Sequence, residues 1–267
     1  MRPDIVSLRE FYRSRLGRVT TRLIRHEIER LAPGDAHGSE LSVGFSLPYL
    51  DRAGVLPGAT RMRHGMAFMP ARQGATPWPS MGGCATVLGD DATWPFCQQQ
   101  FAHVFAIHAF EFVDSGRGFL DEAWRVLAPG GVLTLVVPNR VGAWSLQDKT
   151  PFGNGRPFSR GQLKDLFHET RFEPMEWRSA LFAPPIQSRF GQILLSGSER
   201  LGRVFWPAMS GVIICRAMKR LHAPHGGGKP AFAVIGPAWQ PAYQRSSFPL
   251  LSGTDKSSGD AGVPGSA

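Results

Sequence analysis

The residues able to do chemistry gather between positions 89 and 158. Asp90 and Asp91 stand side by side in GDDATWPF, followed by Trp94. His108 lies inside the apolar run FAHVFAIHAFEF, with Glu111 three residues on. An unperturbed imidazole titrates near neutrality, which suits a general base, and Glu111 is the other titratable group within a turn of it. The paired aspartates can accept hydrogen bonds from a ligand or cap a strand end, and Trp94 can edge a flat ring or fill a core. His108 has the same double reading, as a base or as a hydrogen-bonded core histidine. The twenty residues NRVGAWSLQDKTPFGNGRPF, from Asn139 to Phe158, carry Trp144, Asp148, Lys149, Asn154 and Arg156. A connection of that length either serves a ligand or packs on its own aromatic residues. Cys84, Cys97 and Cys215 are widely spaced and form no C-x-x-C pair, so reduced, mostly buried thiols are expected and no zinc site. His222 and His225 have no third ligand near them in sequence, and no metal is assigned.

The elements that must position these groups follow from periodicity. Residues 6–31 read as one or two helices, with Leu8, Tyr12, Leu16, Val19, Leu23 and Ile28 at spacings of mostly three and four and with Phe11 and Tyr12 inward. Ala32-Pro33-Gly34 stops them. Strands are predicted at Glu40–Val43, Arg63–Phe68, Ala85–Leu88 and Ala102–Ile107, the last a near-continuous apolar run of the kind covered on both faces. A helix is expected to begin at Tyr49–Ala53 and another at Phe119–Leu127, with Pro129-Gly130-Gly131 turning the chain into a strand at Val132–Val137. Ser159 reads as an N-cap for a helix over Arg160–Glu169. A strand at Phe172–Ala180, a helix at Ser188–Phe205 and a last strand at Gly211–Arg220 complete the pattern.

Three parts are therefore expected: a helical extension over residues 1–35 that can serve as a lid, an α/β domain over 36–221, and a Gly/Pro/Ser-rich, disordered tail over 222–267. The composition, 42% hydrophobic, supports an ordinary core. No apolar run approaches the roughly 20 residues of a membrane span, and no apolar segment follows the charged start, so a cytoplasmic protein is expected. The net charge of +9 comes from 25 Arg and 5 Lys scattered along the chain. Its densest segment is Arg9, Arg13, Arg15, Arg18, Arg22 and Arg25, which reads as a solvated helix face or as a phosphate-facing patch. The basic-aromatic interleaving of an RNA-binding surface is absent, and nucleic acid is not the expected partner. Oligomeric state is not legible.

The order GDDATWPF, apolar strand, helix and WRVLAPGGVLTLVVPN resembles the distal half of the class I S-adenosylmethionine-dependent methyltransferases, near the ubiquinone/menaquinone methylase type. The resemblance covers roughly 38–220 and is strongest over 87–138. It implies a doubly wound, Rossmann-like α/β sheet of order 3-2-1-4-5-7-6, strand seven antiparallel, with helices on both faces and ligand at the carboxyl ends of the first four strands. It implies S-adenosyl-L-methionine as cofactor, with contacts from Gly44, Phe45, Ser46, Met69, Asp90, Asp91, Trp94 and His108, and His108 as the catalytic candidate. Two departures stand out. The glycine-rich loop survives as Gly44-Phe45-Ser46-Leu47-Pro48, with one glycine. The acidic residue expected after strand two is missing, the equivalent stretch being Ala67-Phe68-Met69-Pro70. The resemblance implies methyl transfer to a small-molecule acceptor; the departures favour the alternative of a methyltransferase-fold binding or scaffold module.

Overall fold

The apolar runs form strands that share one sheet. The computed structural model describes residues 2–31, 38–50, 62–78, 84–185 and 209–220. Its strands are β1 (Gly38–Gly44), β2 (Met62–Pro70), β3 (Thr86–Gly89), β4 (Phe101–Ile107), β5 (Leu127–Pro138), β6 (Phe172–Ala180) and β7 (Val212–Lys219). They are ordered β3-β2-β1-β4-β5-β7-β6, with β1 to β5 parallel and β7 antiparallel to both its neighbours. The doubly wound sheet expected from the sequence is thus present.

Side chains alternate between two cores, as the pleat requires. Val104 and Ala106 of β4, Leu133 and Leu135 of β5 and Ile213 and Cys215 of β7 face helices α3 (Gly116–Val126) and α4 (Arg160–Glu169). Phe105, Ile107, Val136, Val212 and Ile214 pack with the two N-terminal helices, α1 (Ile5–Arg13) and α2 (Arg15–Leu31). Burying an aliphatic side chain of this kind is worth roughly 1.5–3 kcal/mol, so both faces are held by many such residues and not by one contact. Local signals agree with this packing. Asp4 caps α1 through Ser7 N–H, Ser115 caps α3 through Gly118 N–H, and Ser159 with Gln162 forms a reciprocal capping box on α4.

Three expectations need correction. The helix expected to begin at Tyr49–Ala53 does not start at Tyr49: Leu47–Tyr49 make a short 3-10 turn with Pro48 in its first turn, Leu50 is extended, and residues 51–53 lie outside those described. Strand β5 begins at Leu127 and not Val132; Pro129, Gly130 and Gly131 bulge out between two residues that pair with Phe101 and His103. Of the thiols only Cys215 is buried, while Cys84 and Cys97 are exposed because they sit in connections outside the sheet. The stop at Ala32–Gly34, the helix at Ser188–Phe205 and the tail from 222 lie outside the described residues. Among those described, no helix is long and apolar enough to cross a membrane, and no group of three or more His, Cys, Asp or Glu could hold a metal ion.

Candidate functional site at the carboxyl ends of the parallel strands

Five segments leave the carboxyl edge of the sheet, one after each parallel strand, and the N-terminal segment crosses them. Ile5 N–H donates to Gln73 O, beyond β2, at 2.8 Å. Arg2 Nη1 meets Asp91 Oδ2, beyond β3, at 2.6 Å, and its guanidinium lies 5.5 Å from the centre of the Phe112 ring, beyond β4. Tyr12 of α1 reaches between β1 and β4, its ring 5.6 Å from Phe45, 5.8 Å from Tyr49 and 5.7 Å from His108.

A line of buried polar groups starts at that ring. Tyr49 and Tyr12 share a hydrogen bond of 2.9 Å between their hydroxyls, and Tyr12 Oη lies 2.6 Å from His108 Nε2. On its far side, His108 Nδ1 is 3.5 Å from Glu111 Oε1. His108 and Glu111 side chains are 0% and 1% exposed. Burial pushes the Tyr12 phenol well above its usual value, with Tyr49 and Glu111 adding to the rise, and burial raises Tyr49 likewise. Both phenols stay protonated at neutral pH. His108 itself sits at φ 54°, a left-handed conformation that a histidine adopts at a cost. Gln73 Nε2 ties that turn to β2 by donating to His108 O at 3.1 Å.

Each candidate residue has a definite place. Gly44 has φ +84°, and an added Cβ would lie 2.3 Å from Ile107 O, so its missing side chain lets β1 approach β4. Phe45 and Ser46 are buried in the loop behind Tyr12. Met69 is fully buried, its sulfur accepting from Thr76 N–H at 3.4 Å. Asp90 is exposed and closes a turn through Ala92 N–H, whereas Asp91 holds Arg2. Trp94 is 2% exposed, its ring against Phe68 and Phe119 and its indole N–H on Asp91 O, so both ring faces belong to the core. The structure brings Phe45, Tyr49, His108 and Glu111 together; Asp90 stands apart from them on the surface. In the 139–158 connection, Trp144, Phe152 and Phe158 are buried and Phe152 packs 4.8 Å from the His108 ring, while Asp148, Lys149 and Arg156 are exposed.

Reading the sequence missed Tyr49 and Gln73 as members of this site. Gln73 lies three residues beyond β2, and a search for a carboxylate passes over an amide. Buried polar atoms without a partner gather here: Arg2 Nη2, Ser46 Oγ, Gln73 Oε1, His108 Nδ1 and both carboxylate oxygens of Glu111. The others among the described residues, Thr20 Oγ1, Trp124 Nε1 and Arg178 Nε, belong to α2, α3 and β6. Native proteins leave few such atoms unsatisfied, and a cluster of them marks a place built for a partner.

Strand order 3-2-1-4-5-7-6 with β7 reversed, and a polar cluster at the carboxyl edge, are the plan of one fold. Residues 66–135 match the family model of a methyltransferase domain. The chain has the class I methyltransferase fold. Two solved structures show the likeness. One is a SAM-dependent methyltransferase of Thermotoga maritima, described as a possible histamine N-methyltransferase, at TM-score 0.50 and 18% identity over 79% of this chain and 94% of that one. The other is a chain of the complex between the Trm112 methyltransferase activator of Haloferax volcanii and a methyltransferase, at TM-score 0.54 and 15% identity over 82% and 100%. At such identities the likeness is one of fold. No curated protein sequence matches the chain. Proteins with this methyltransferase domain generally use S-adenosylmethionine.

Proposed function

We propose that this chain is an S-adenosylmethionine-dependent methyltransferase acting on a small molecule. The observation that carries the reading is the set of unsatisfied buried polar atoms after β1, β2 and β4, at the edge where doubly wound sheets bind ligand. The residues there fit the cofactor. Ser46 Oγ and Gln73 Oε1 offer an uncommitted hydroxyl and an uncommitted amide oxygen in the loops after β1 and β2, and Gln73 takes the part of the missing acid. Asp90 supplies an exposed carboxylate after β3, Gly44, Phe45 and His108 line the loops after β1 and β4, and Asp91, Met69 and Trp94 support that edge through Arg2, Thr76 and the core. S-adenosylmethionine, when bound, supplies an electrophilic methyl group.

The chain's own residues align the acceptor and manage its proton. Glu111 beside Nδ1 favours the imidazole tautomer with its proton on Nδ1, leaving Nε2 as the acceptor that Tyr12 O–H now fills. When the acceptor's O–H or N–H meets Glu111, the Glu111–His108 pair is the base that removes its proton. Residues 1–35 then act as a lid, because Arg2, Ile5 and Tyr12 cross the mouth of the site. Cytoplasmic location belongs to the same proposal.

Titration calorimetry with S-adenosylhomocysteine tests it. Binding is expected, and Asp90→Ala and Gln73→Ala should each weaken it several-fold, about 1 kcal/mol per lost hydrogen bond. No heat and no thermal shift at high ligand concentration would leave the second reading, a methyltransferase-fold binding module without catalysis. That reading is favoured by one observation: Tyr12, Phe45 and Tyr49 fill the space behind the loop with the protein's own rings.

A further inference from the structure

We propose that the cleft walled by Arg2, Arg72, Glu111, Phe112, Val113 and Gly155 binds the acceptor, and that the acceptor is a small amphoteric molecule. It would carry an anionic group at one end and an ionisable O–H or N–H at the other. Its role as acceptor rests on the methyltransferase reading; its binding does not.

The cleft holds about 400 Å³, room for a molecule of roughly ten heavy atoms. Arg2 is the first argument. Its side chain is 9% exposed and Nη1 is committed to Asp91, yet Nη2 is buried with no partner. A guanidinium nitrogen stripped of water in this way is costly until an acceptor meets it. Arg72 stands at the rim, 81% exposed and 3.9 Å from a still more exposed Asp114, a pairing too loose to hold it there. Glu111 is the second argument. It belongs both to the cleft wall and to the buried line of Tyr12 and His108, and neither carboxylate oxygen receives a hydrogen bond. A buried carboxylate wants donors, and a ligand hydroxyl or amine is one. Phe112 and Val113 add apolar residues to the cleft wall.

The fourth side is brought in by the 139–158 connection. Gly155 has φ +82°, and a Cβ there would fall 2.7 Å from the Phe112 ring and 2.8 Å from Glu111 O, so the backbone comes nearer than another residue could. Arg156 N–H fixes this approach by donating to Glu111 O at 2.8 Å. Charge selects the class of ligand. A bare anion meets Glu111, Asp91 and Asp114 along with the arginines, and a bare cation meets Arg2 and Arg72. Only a molecule with both an anionic and a donating end satisfies both sets of orphaned atoms.

Three probes separate the two ends: 4-hydroxyphenylacetate, phenylacetate and 4-methylphenol, titrated into the full chain by ligand-observed NMR. The first should bind about tenfold more tightly than either of the others, one charge-assisted hydrogen bond's worth. Arg72→Ala should weaken both carboxylates several-fold and leave 4-methylphenol unchanged. Glu111→Gln should bring 4-hydroxyphenylacetate down to the level of phenylacetate. If Glu111→Gln fails to fold, the exposed Arg72 alone decides. No binding of any probe up to about 10 mM, or affinities indifferent to both substitutions, would overturn the proposal. Calorimetry with S-adenosylhomocysteine, run in parallel, keeps the two readings apart. Its binding without any probe bound overturns the cleft and spares the methyltransferase reading. Probe binding without it supports the cleft as a binding site and removes the acceptor role.

Discussion

At the scale of single residues, the site depends on groups whose ordinary behaviour burial has changed. The chain has three tyrosines, and Tyr12 and Tyr49 are held far above the usual phenol value by desolvation. A phenol whose pKa is raised in the folded state contributes stability below the unfolded value of about 10 and loses it as pH rises through the folded one. Absorbance titration of the native protein should therefore show two tyrosines that resist ionisation until the chain unfolds, and stability should fall above about pH 10. Normal ionisation of all three in the folded protein would contradict the buried pair. Gly44 is the other residue with no freedom to vary. A methyl there meets Ile107 O at 2.3 Å and a positive φ, so Gly44→Ala should cost several kcal/mol, on the order of 4 or more, read from the denaturant midpoint.

At the scale of elements, helix α3 holds the segment that carries the aspartates. Glu122 accepts from Trp94 N–H at 2.8 Å, while Arg125 donates to Glu122, to Phe96 O at 2.7 Å and to Trp94 O at 2.9 Å. The Arg125 hydrogen bonds hold the Glu122 carboxyl below its usual value. Glu122→Ala should cost about 1–3 kcal/mol, since it leaves Trp94 N–H unpaired and Arg125 with only its two backbone carbonyl partners. The sign with pH follows from the lowered carboxyl: the contribution is whole above the ordinary carboxylate range and is lost as pH falls through the lowered value. The stability gap between wild type and variant in urea should thus close on acidification. A gap that persisted at low pH would show that packing, not the carboxylate, is what the substitution removes. Segments like this were legible because propensity and tertiary need agree: the N-cap at Ser159, the helix Arg160–Glu169 and the strand Phe172–Ala180 lie where local signals put them. The helix start expected at Tyr49 is replaced by a short turn, because Pro48 favours one and the ring of Tyr49 packs against Tyr12.

At the scale of the whole molecule, charge and site occupy different places. Arg9, Arg13, Arg15, Arg18 and Arg22 are exposed on α1 and α2, while Leu8, Tyr12, Leu16, Ile24 and Ile28 of the same helices are buried. Such a face attracts polyanions without reading them. Bulk tRNA should bind at low salt and be released near about 0.15 M ionic strength, measured by mobility shift. Retention at that salt, with saturation at a defined stoichiometry, would point to a nucleic-acid partner.

The sequence by itself determined the class of fold, because alternating and continuous apolar runs admit one layered solution and GDDATWPF with WRVLAPGGVLTLVVPN mark its distal half. It also placed His108 and Glu111 within a turn of each other, since three residues of spacing is local geometry. Tertiary structure decided what surrounds them. Tyr12 reaches His108 across 96 positions and Arg2 reaches Asp91 across 89, and no local pattern encodes a meeting at that separation. Gln73, an amide three residues past its strand, became visible only when its unpaired oxygen appeared at the edge of the sheet. Spacing orders the elements; which side chains are left without water, and so need a partner, is settled when the faces close.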